Sequence, residues 1–251
     1  MKIPKSQLIV ALDIDSLGEL RTLLDKLVDC VDIFKVGSQL FTACGPASVR
    51  FVEARGKKVF LDLKFHDIPN TVAGAVNAAV NLSVAVERSM DMEHRIKAKR
   101  FGLFMFTVHT SGGVEMMKAA AQASAKTAEE IGFPKPLVVG VTVLTSEVKN
   151  DKTEDLILER AKLAKQAGLD GVVASPQEAK MLREHFGKDF IIVTPGIRPA
   201  GADAHDQQRI ATPADAIKSG SNYIVVGRPI VQAKDPAKAA KAILQEIDSI
   251  K

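Results

Sequence analysis

The sequence contains no tryptophan, one tyrosine and only two cysteines, Cys30 and Cys44, in 251 residues. Two cysteines that show neither metal-ligand nor redox spacing argue against a disulfide framework and suit a reducing compartment. Aromatic residues make up only 5% of the chain, and its basic residues are interspersed with acidic ones. Single-stranded nucleic acid needs a larger stacking surface, so we expect no nucleic-acid partner despite a net charge of +4.

Long apolar runs are also absent. No stretch is long enough to cross a bilayer, and the first residues, Met1–Lys5, lack the apolar core of a signal peptide. We therefore expect no membrane partner and a cytoplasmic location. The remaining composition, with 46% hydrophobic and 25% charged residues, is typical of a globular protein. The mild positive excess favours a small anionic substrate.

Short, β-branched apolar runs recur along the chain and predict strands that are covered on both faces. They are Leu8–Leu12, Ile33–Val36, Val59–Leu63, Leu103–Val108, Leu137–Val143, Gly171–Ala174, Phe190–Val193 and Tyr223–Val226. Segments with helical periodicity lie between these runs. They are Leu17–Val28, Val72–Val80, Val114–Ala125, Thr153–Ala167, Pro176–His185, Thr212–Ser219 and Pro236–Ile250. This alternation predicts a (β/α)8 TIM barrel, in a single domain over residues 1–251. A doubly wound sheet is the alternative, weakened because no G-x-G-x-x-G follows the first strand.

Several predicted strands end in polar residues, at the edge where a barrel carries its catalytic groups. The first strand ends in Asp13, the second in Lys35, the third in Asp62 and Lys64, and the fourth in His109. Because alternate residues of a strand face the same side, Asp62 and Lys64 should project together.

Charges that face the interior of a barrel are costly when they are unpaired. Lys35, Asp62, Lys64 and Asp67 can compensate one another as an alternating array of cations and anions. The alternative is a buried ion-pair network without chemistry. Charges at several adjacent strand ends favour a catalytic site over such a network. The sequence offers no pattern for a pyridoxal phosphate, thiamine or metal cofactor.

Two turns that contain glycine and arginine follow the seventh and eighth predicted strands. The first is Thr194–Arg198 (TPGIR) and the second is Gly227-Arg228-Pro229. Barrel enzymes frequently bind phosphate with these loops, because backbone N–H groups can approach at glycine and arginine forms charge-assisted bonds. Two ordinary turns with surface arginines are the alternative. The polar stretch Pro199–Gln208 between them is either a mobile lid or a plain surface loop.

The five histidines show no metal-ligand spacing. His109 ends a predicted strand near these groups and is expected to be a hydrogen-bonded core residue. No Ser/His/Asp triad motif or Walker loop is present. We therefore expect no metal at the site.

The polar blocks occur in the order that is typical of a known enzyme family. They are Ala11-Leu12-Asp13, Phe34–Gly37 (FKVG), Leu61–Thr71 (LDLKFHDIPNT), Val108–Gly113 (VHTSGG), Val143–Ser146 (VLTS), Thr194–Arg198, Asp206–Gln208 and Val226–Pro229 (VGRP). Over nearly the whole chain they resemble the orotidine 5'-phosphate decarboxylase family, and its bacterial form most closely. The pattern D-x-K-x-x-D alone is moderately specific, but together with Lys35, PGIR and the final GR it is very specific.

The resemblance implies a cofactor-free carboxy-lyase that converts orotidine 5'-phosphate to UMP and CO2 in de novo pyrimidine biosynthesis. It also implies a homodimer with two active sites at the subunit interface. Lys64 would donate the proton to C6, Asp62 would lie beside the substrate carboxylate, and Lys35 would hold the array and contact the ribose. Asp13 would contact nucleoside hydroxyls, and Thr145 with Ser146 would contact the base. The residues that would reach the neighbouring subunit's site are Asp67, Ile68 and Thr71. Those that would hold the phosphate and close the lid are Arg198, Gln207, Gly227 and Arg228.

One stretch, Leu82–Arg100, departs from the family pattern, because relatives reach the fourth strand in fewer residues. Its charged part, Glu87–Arg100, is expected to be a solvated extension, with a partner-binding element as the alternative. Two rival functions stay open. Lys35 argues against a magnesium-dependent phosphosugar decarboxylase of the same superfamily, since those relatives usually carry an acid there. The intact charged array argues against a catalytically inactive phosphoribosyl-binding protein.

Overall fold

The computed structural model describes residues 7–89 (for 84–89 the backbone only), 103–144, 153–199 and 211–250. The strands in these ranges form a closed parallel barrel, in which each strand pairs with the next and the last pairs with the first. They are β1 (Leu8–Ala11), β2 (Ile33–Gly37), β3 (Lys58–Phe65), β4 (Leu103–His109), β5 (Leu137–Val141), β6 (Gly171–Val173), β7 (Ile191–Thr194) and β8 (Tyr223–Val226). The predicted (β/α)8 barrel is confirmed.

Helices alternate with the strands. They are α1 (Leu17–Leu27), α2 (Ser38–Cys44), α3 (Pro46–Glu53), α4 (Pro69–Ser89), α5 (Gly113–Ile131), α6 (Thr153–Gln166), α7 (Pro176–Phe186), α8 (Pro213–Lys218), α9 (Arg228–Val231) and α10 (Pro236–Asp248). Helix α4 extends beyond the predicted Val72–Val80 at both ends. Helices α2, α3 and α9, each of eight residues or fewer, are not among the predicted helical segments. Within the described ranges, no helix combines the length and apolarity needed to cross a bilayer.

Helix boundaries follow local signals in the sequence. At the start of α8, the Thr212 hydroxyl accepts a hydrogen bond from the Asp215 N–H at 3.1 Å, and Pro213 occupies the first turn. Gly168 and Gly220, just beyond two helices, have φ angles of 83° and 104°, which favour glycine.

The barrel separates two apolar cores. Its interior is filled by Ile9, Ala11, Ile33, Phe60, Met105, Val139, Val193 and Val225. Intervening residues such as Val10, Phe34 and Leu61 belong to the other core, which includes apolar residues of the helices. Burial on both faces explains why the strands are apolar throughout. Two residues beyond Ile33 and Phe60, the same interior face carries Lys35 and Asp62.

Strand β3 departs from regular pairing near its carboxyl end. Leu61 pairs with Phe106, but the next pair is Phe65 with Val108, so β3 advances four residues while β4 advances two. Such a bulge bends a strand and redirects its side chains. Lys64 lies inside it with a φ of 52°, and no other described residue except glycine has a positive φ.

Candidate active site

A cavity of about 640 Å³ opens at the carboxyl ends of the strands. Its apolar lining comes from the barrel interior, and its polar lining comes from two places. Asp13, Lys35, Asp62 and Lys64 extend from β1, β2 and β3, while Gly196, Arg198, Gly227 and Arg228 follow β7 and β8. The volume suits a ligand of nucleotide size. Both predicted groups of polar residues therefore share one cavity.

Lys35, Asp62, Lys64 and Asp13 form a connected array of alternating charge. The Lys35 ammonium lies 3.1 Å from Asp13 Oδ1 and 3.7 Å from Asp62 Oδ2. The Lys64 ammonium lies 3.0 Å from both carboxylate oxygens of Asp62. The side chains of Lys35 and Asp62 are only 12% and 14% exposed, so these pairs are poorly screened by water. The predicted array of Lys35, Asp62 and Lys64 is present.

The electrostatics of the array favour an ionised Asp62. Burial raises the pKa of its carboxyl, but the ammonium groups of Lys35 and Lys64 and hydrogen bonds from Lys64 and Thr107 lower it. The lowering causes prevail and hold the pKa of Asp62 below its ordinary value. The site therefore presents a fixed negative charge between two cations.

Lys64 reaches Asp62 from an irregular position on β3. Regular alternation along β3 predicts that the two side chains share a face, and they do meet. However, alternation does not continue through the bulge, where Lys64 has left-handed backbone geometry. The long lysine side chain reaches Asp62 from this irregular position.

Asp67 lies outside the array of its own chain, which corrects the prediction that it joins Lys35, Asp62 and Lys64. It is exposed, and its Oδ1 accepts a hydrogen bond from the Ile68 N–H at 2.6 Å. No ion pair joins Asp67 to another described residue of this chain. Ile68 is 67% exposed and Thr71 is also exposed. The chain therefore presents Asp67, Ile68 and Thr71 outward, at the start of α4.

The second group of polar residues surrounds a buried guanidinium. Arg198 is 6% exposed, its Nη1 donates to the Ile197 carbonyl at 2.9 Å, and its buried Nε has no hydrogen-bond partner among the described residues. Burial and the nearby Arg228 lower the pKa of Arg198. Gly196 has a φ of 76°, and a Cβ at Gly227 would lie 3.4 Å from Asp13 Oδ2. Such an arrangement of cations and glycine turns suits an anion.

Several residues with predicted roles lie outside the part of the chain that the structure describes. Thr145, Ser146 and Gln207 lie outside the described residues, as does all of Pro199–Gln208 except Pro199. The same holds for Glu87–Arg100 beyond the end of α4 at Ser89. The contacts and the lid proposed for these residues stay predictions.

Sequence reasoning overlooked three polar residues at the site. Thr107 contacts Asp62 and Lys64 from β4, and Gln39 and Gln232 line the cavity. Gln232 had a usable signal, because it follows Arg228 by one helical turn. Gln39 lies two residues after the motif that ends in Gly37.

His109 differs from its prediction as a core residue. It is partly exposed, and its ring packs against His66 with the ring centroids 5.5 Å apart. Burial, His66, Lys64 and Arg160 lower the pKa of His109 and outweigh the effect of Asp62. Within the described ranges, no group of three or more histidine, cysteine, aspartate or glutamate residues could hold a metal ion.

Known proteins of one enzyme family are similar to this chain in sequence and in structure. The profile of the orotidine 5'-phosphate decarboxylase / HUMPS family matches residues 6–243. The orotidine 5'-phosphate decarboxylase of Moorella thermoacetica is 46% identical over 98% of this chain and 94% of its own length. That of Vibrio cholerae serotype O1 is 46% identical over 99% of each chain. The crystal structure of orotidine 5'-phosphate decarboxylase from Lactobacillus acidophilus is 37% identical, with a TM-score of 0.77 over 97% of this chain and 99% of that chain. The resemblance drawn from the sequence is confirmed, and the chain belongs to the orotidine 5'-phosphate decarboxylase / HUMPS family.

Proposed function

We propose that this chain is a carboxy-lyase that converts orotidine 5'-phosphate to UMP and CO2 in pyrimidine biosynthesis, without a cofactor. The observation that carries the proposal is the charged array in the cavity, where Asp62 lies between the ammonium groups of Lys35 and Lys64. The arginine pair lines the same cavity, and both features suit an anionic nucleotide that carries a carboxylate and a phosphate.

Lys64 is proposed as the proton donor. When the bond between C6 and the carboxylate breaks, the electron pair stays on C6 and CO2 departs. A fixed ammonium stabilises that developing negative charge and then transfers a proton to C6, which yields UMP. The neutral amine regains its proton from solvent. The 3.0 Å contact with Asp62 holds Lys64 Nζ in the cavity before the substrate arrives.

Asp62 is proposed to lie beside the substrate carboxylate. Because Lys35, Lys64 and Thr107 keep Asp62 ionised, the bound substrate would face a second negative charge. Two like charges about 4 Å apart repel by about 4 kcal/mol at an effective dielectric near 20. Loss of CO2 removes this repulsion, so Asp62 favours departure of the carboxylate. Lys35 holds the array and, with Asp13, contacts the nucleoside hydroxyls.

The phosphate is proposed to bind Arg198, Arg228 and Gly227, with Gln207 closing over it and Thr145 contacting the base. The buried Nε of Arg198, which has no hydrogen-bond partner among the described residues, supports this assignment, because a buried guanidinium N–H requires an acceptor. Binding energy from a remote phosphate can organise the array for reaction.

The active unit is proposed to be a homodimer in which Asp67, Ile68 and Thr71 complete the neighbouring site. Ile68 supports this assembly, since a side chain of its size that is 67% exposed beside two polar residues suits an interface. We further propose a single domain and a cytoplasmic location, the latter supported by the low cysteine content. Cell fractionation tests the location.

The assay follows the ultraviolet absorbance of orotidine 5'-phosphate. Lys64→Ala is expected to abolish turnover while UMP still binds, because the arginine side of the cavity is untouched. Lys180→Ala, at an exposed lysine of α7, serves as the control and should keep wild-type turnover. Near-normal turnover by Lys64→Ala would reject the role of Lys64.

The same assay separates the rival functions. A magnesium-dependent decarboxylase would lose activity in EDTA, whereas no loss is expected here, because Lys35 and Lys64 already contact the oxygens of Asp62. A phosphoribosyl-binding protein without catalysis would leave the absorbance unchanged in the presence of correctly folded dimer.

A further inference from the structure

Thr107 is a buried polar residue on the interior face of β4, and in the proposed mechanism it only helps to keep Asp62 ionised. Its side chain is 0% exposed, and its backbone pairs with Val139 of β5. It lies two residues beyond Met105, which packs inside the barrel. Its hydroxyl therefore points into the barrel directly beside the charged array.

This hydroxyl makes two hydrogen bonds with the array. It accepts one from the Lys64 backbone N–H at 2.8 Å and donates one to Asp62 Oδ1 at 3.0 Å. A hydroxyl combines one donor with two acceptor lone pairs, so a single oxygen can make both contacts. Thr107 thus connects the backbone of the proposed proton donor to the carboxylate that faces it.

Lys64 depends on this contact because of the bulge in β3. Its backbone lies between the pairs Leu61–Phe106 and Phe65–Val108, outside the regular ladder with β4. A buried N–H without an acceptor is costly, and a φ of 52° is one that residues with a side chain rarely adopt. The Thr107 hydroxyl supplies the acceptor where the ladder is interrupted.

Asp62 gains a neutral contact from Thr107. Its other partners in the array, Lys35 and Lys64, are both cations. When Lys64 passes its proton to the substrate, its attraction to Asp62 weakens, whereas the hydroxyl contact does not change. Thr107 can therefore hold the carboxylate in one orientation throughout the reaction.

We propose that Thr107 is a positioning residue for decarboxylation, whose hydroxyl fixes the Asp62 carboxylate and the Lys64 backbone together. This inference rests on the proposed function. It assigns a specific role to the hydroxyl, as distinct from the packing of the threonine methyl group. A displacement of about 1 Å at a reacting group can cost about 100-fold in rate.

Two matched pairs of variants test the hydroxyl. The first pair is wild type and Thr107→Val, whose side chains have a similar shape but differ in the hydroxyl. The second pair is Thr107→Ser and Thr107→Ala, which also differ in the hydroxyl but both lack the methyl group. We expect kcat to fall by about 100-fold in the Val variant, with a similar ratio between Ser and Ala. KM and UMP affinity should change little, because the arginine side of the cavity is intact. The Ser variant should keep most of the wild-type kcat.

The pH dependence of kcat/KM is a second measurement, and a loss of packing alone would not change it. The groups that face Asp62 are the Lys35 and Lys64 ammonium ions and the Thr107 hydroxyl, and all three lower its pKa. Loss of the hydroxyl should therefore shift the acidic limb of kcat/KM to higher pH in the Val and Ala variants and not in the Ser variant.

Wild-type kcat in the Val variant, or equal losses in the Ser and Ala variants, would overturn the inference. If the Val variant does not fold, the Ser and Ala pair decides. A wild-type chain that leaves orotidine 5'-phosphate unchanged would instead reject the proposed function, and this inference with it.

Discussion

At the scale of single residues, Gly37 leaves the space that Lys35 occupies. A Cβ at this buried glycine would lie 2.7 Å from Lys35 Nζ and 3.6 Å from Asp13 Oδ1. Because the clash involves the flexible end of a lysine, the fold can accommodate a methyl group by moving the ammonium. That movement would take Lys35 away from Asp13 and Asp62.

Gly37→Ala should therefore impair catalysis more than stability. We expect kcat/KM to fall by about 10-fold or more, since small displacements of reacting groups are costly. Gly74→Ala is the matched control, because an added Cβ meets nothing within 4 Å and alanine favours a helix such as α4. Steady-state kinetics and thermal unfolding of both variants check this. Unchanged kcat/KM in Gly37→Ala would show that Lys35 tolerates displacement.

The residue scale also shows what the sequence could predict. Asp62, Lys35 and Arg228 stand at the ends of apolar strands, where a charge needs a functional or compensating reason, so their position at the candidate site could be predicted. The role of Thr107 was not, because it depends on a bulge between β3 and β4. A threonine inside an apolar strand is ordinary in sequence, and only the pairing of the two strands reveals its partners.

At the scale of elements, Glu53 joins α3, α4 and β4 away from the cavity. Its Oε1 accepts a hydrogen bond from the Ser83 hydroxyl at 2.8 Å, and Ser83 Oγ accepts one from the Leu103 N–H at 2.9 Å. Glu53 is 4% exposed, and its Oε2 has no hydrogen-bond partner among the described residues. Burial raises the pKa of Glu53 to about 7, against smaller lowering effects of Ser83 and Arg50.

This raised pKa predicts a loss of stability as pH rises. The folded state holds the proton up to about pH 7, whereas the unfolded chain releases it near the ordinary value of 4.5. The free energy of unfolding should therefore fall between these pH values, by about 3 kcal/mol from this group. Glu53→Gln removes the titration, so its stability relative to wild type should increase from pH 4.5 to about pH 7 and stay at a constant difference up to pH 8. Urea unfolding of both proteins across this range checks it, and parallel pH curves would contradict the assignment.

Prediction of elements succeeded where a pattern was long enough to repeat. The strands and the longer helices carry apolar residues at their own period, and proline or threonine marks some helix starts. Helix α2 follows β2 without an intervening loop, so its seven residues continue the strand without a separate signal. Helix α4 runs from Pro69 to Ser89, beyond the periodic segment Val72–Val80 at both ends.

At the scale of the whole molecule, the two halves of D-x-K-x-x-D face different ways. Asp62 and Lys64 face the cavity of their own chain, and Asp67 faces outward. If Asp67 completes the neighbouring site, a mixed dimer of Lys64→Ala and Asp67→Ala chains contains one site with both residues intact. Random exchange should restore about a quarter of the wild-type activity from two impaired proteins. Mixing after reversible dissociation, with chain exchange verified by mass, tests this. Exchange without recovery would place Asp67 at its own chain's site.

The closure of the barrel limits how a second copy can attach. Because β8 pairs with β1, the described sheet offers no unpaired strand along which another chain could add its own. A second copy therefore cannot associate with the described sheet through backbone hydrogen bonds, which are the least sequence-specific contacts between two proteins. Recognition between copies must come from side chains on helices and loops, whose identity can change one residue at a time. If two copies assemble as proposed, the partner would be selected by its side chains, and an exposed residue such as Ile68 would contribute to that selection.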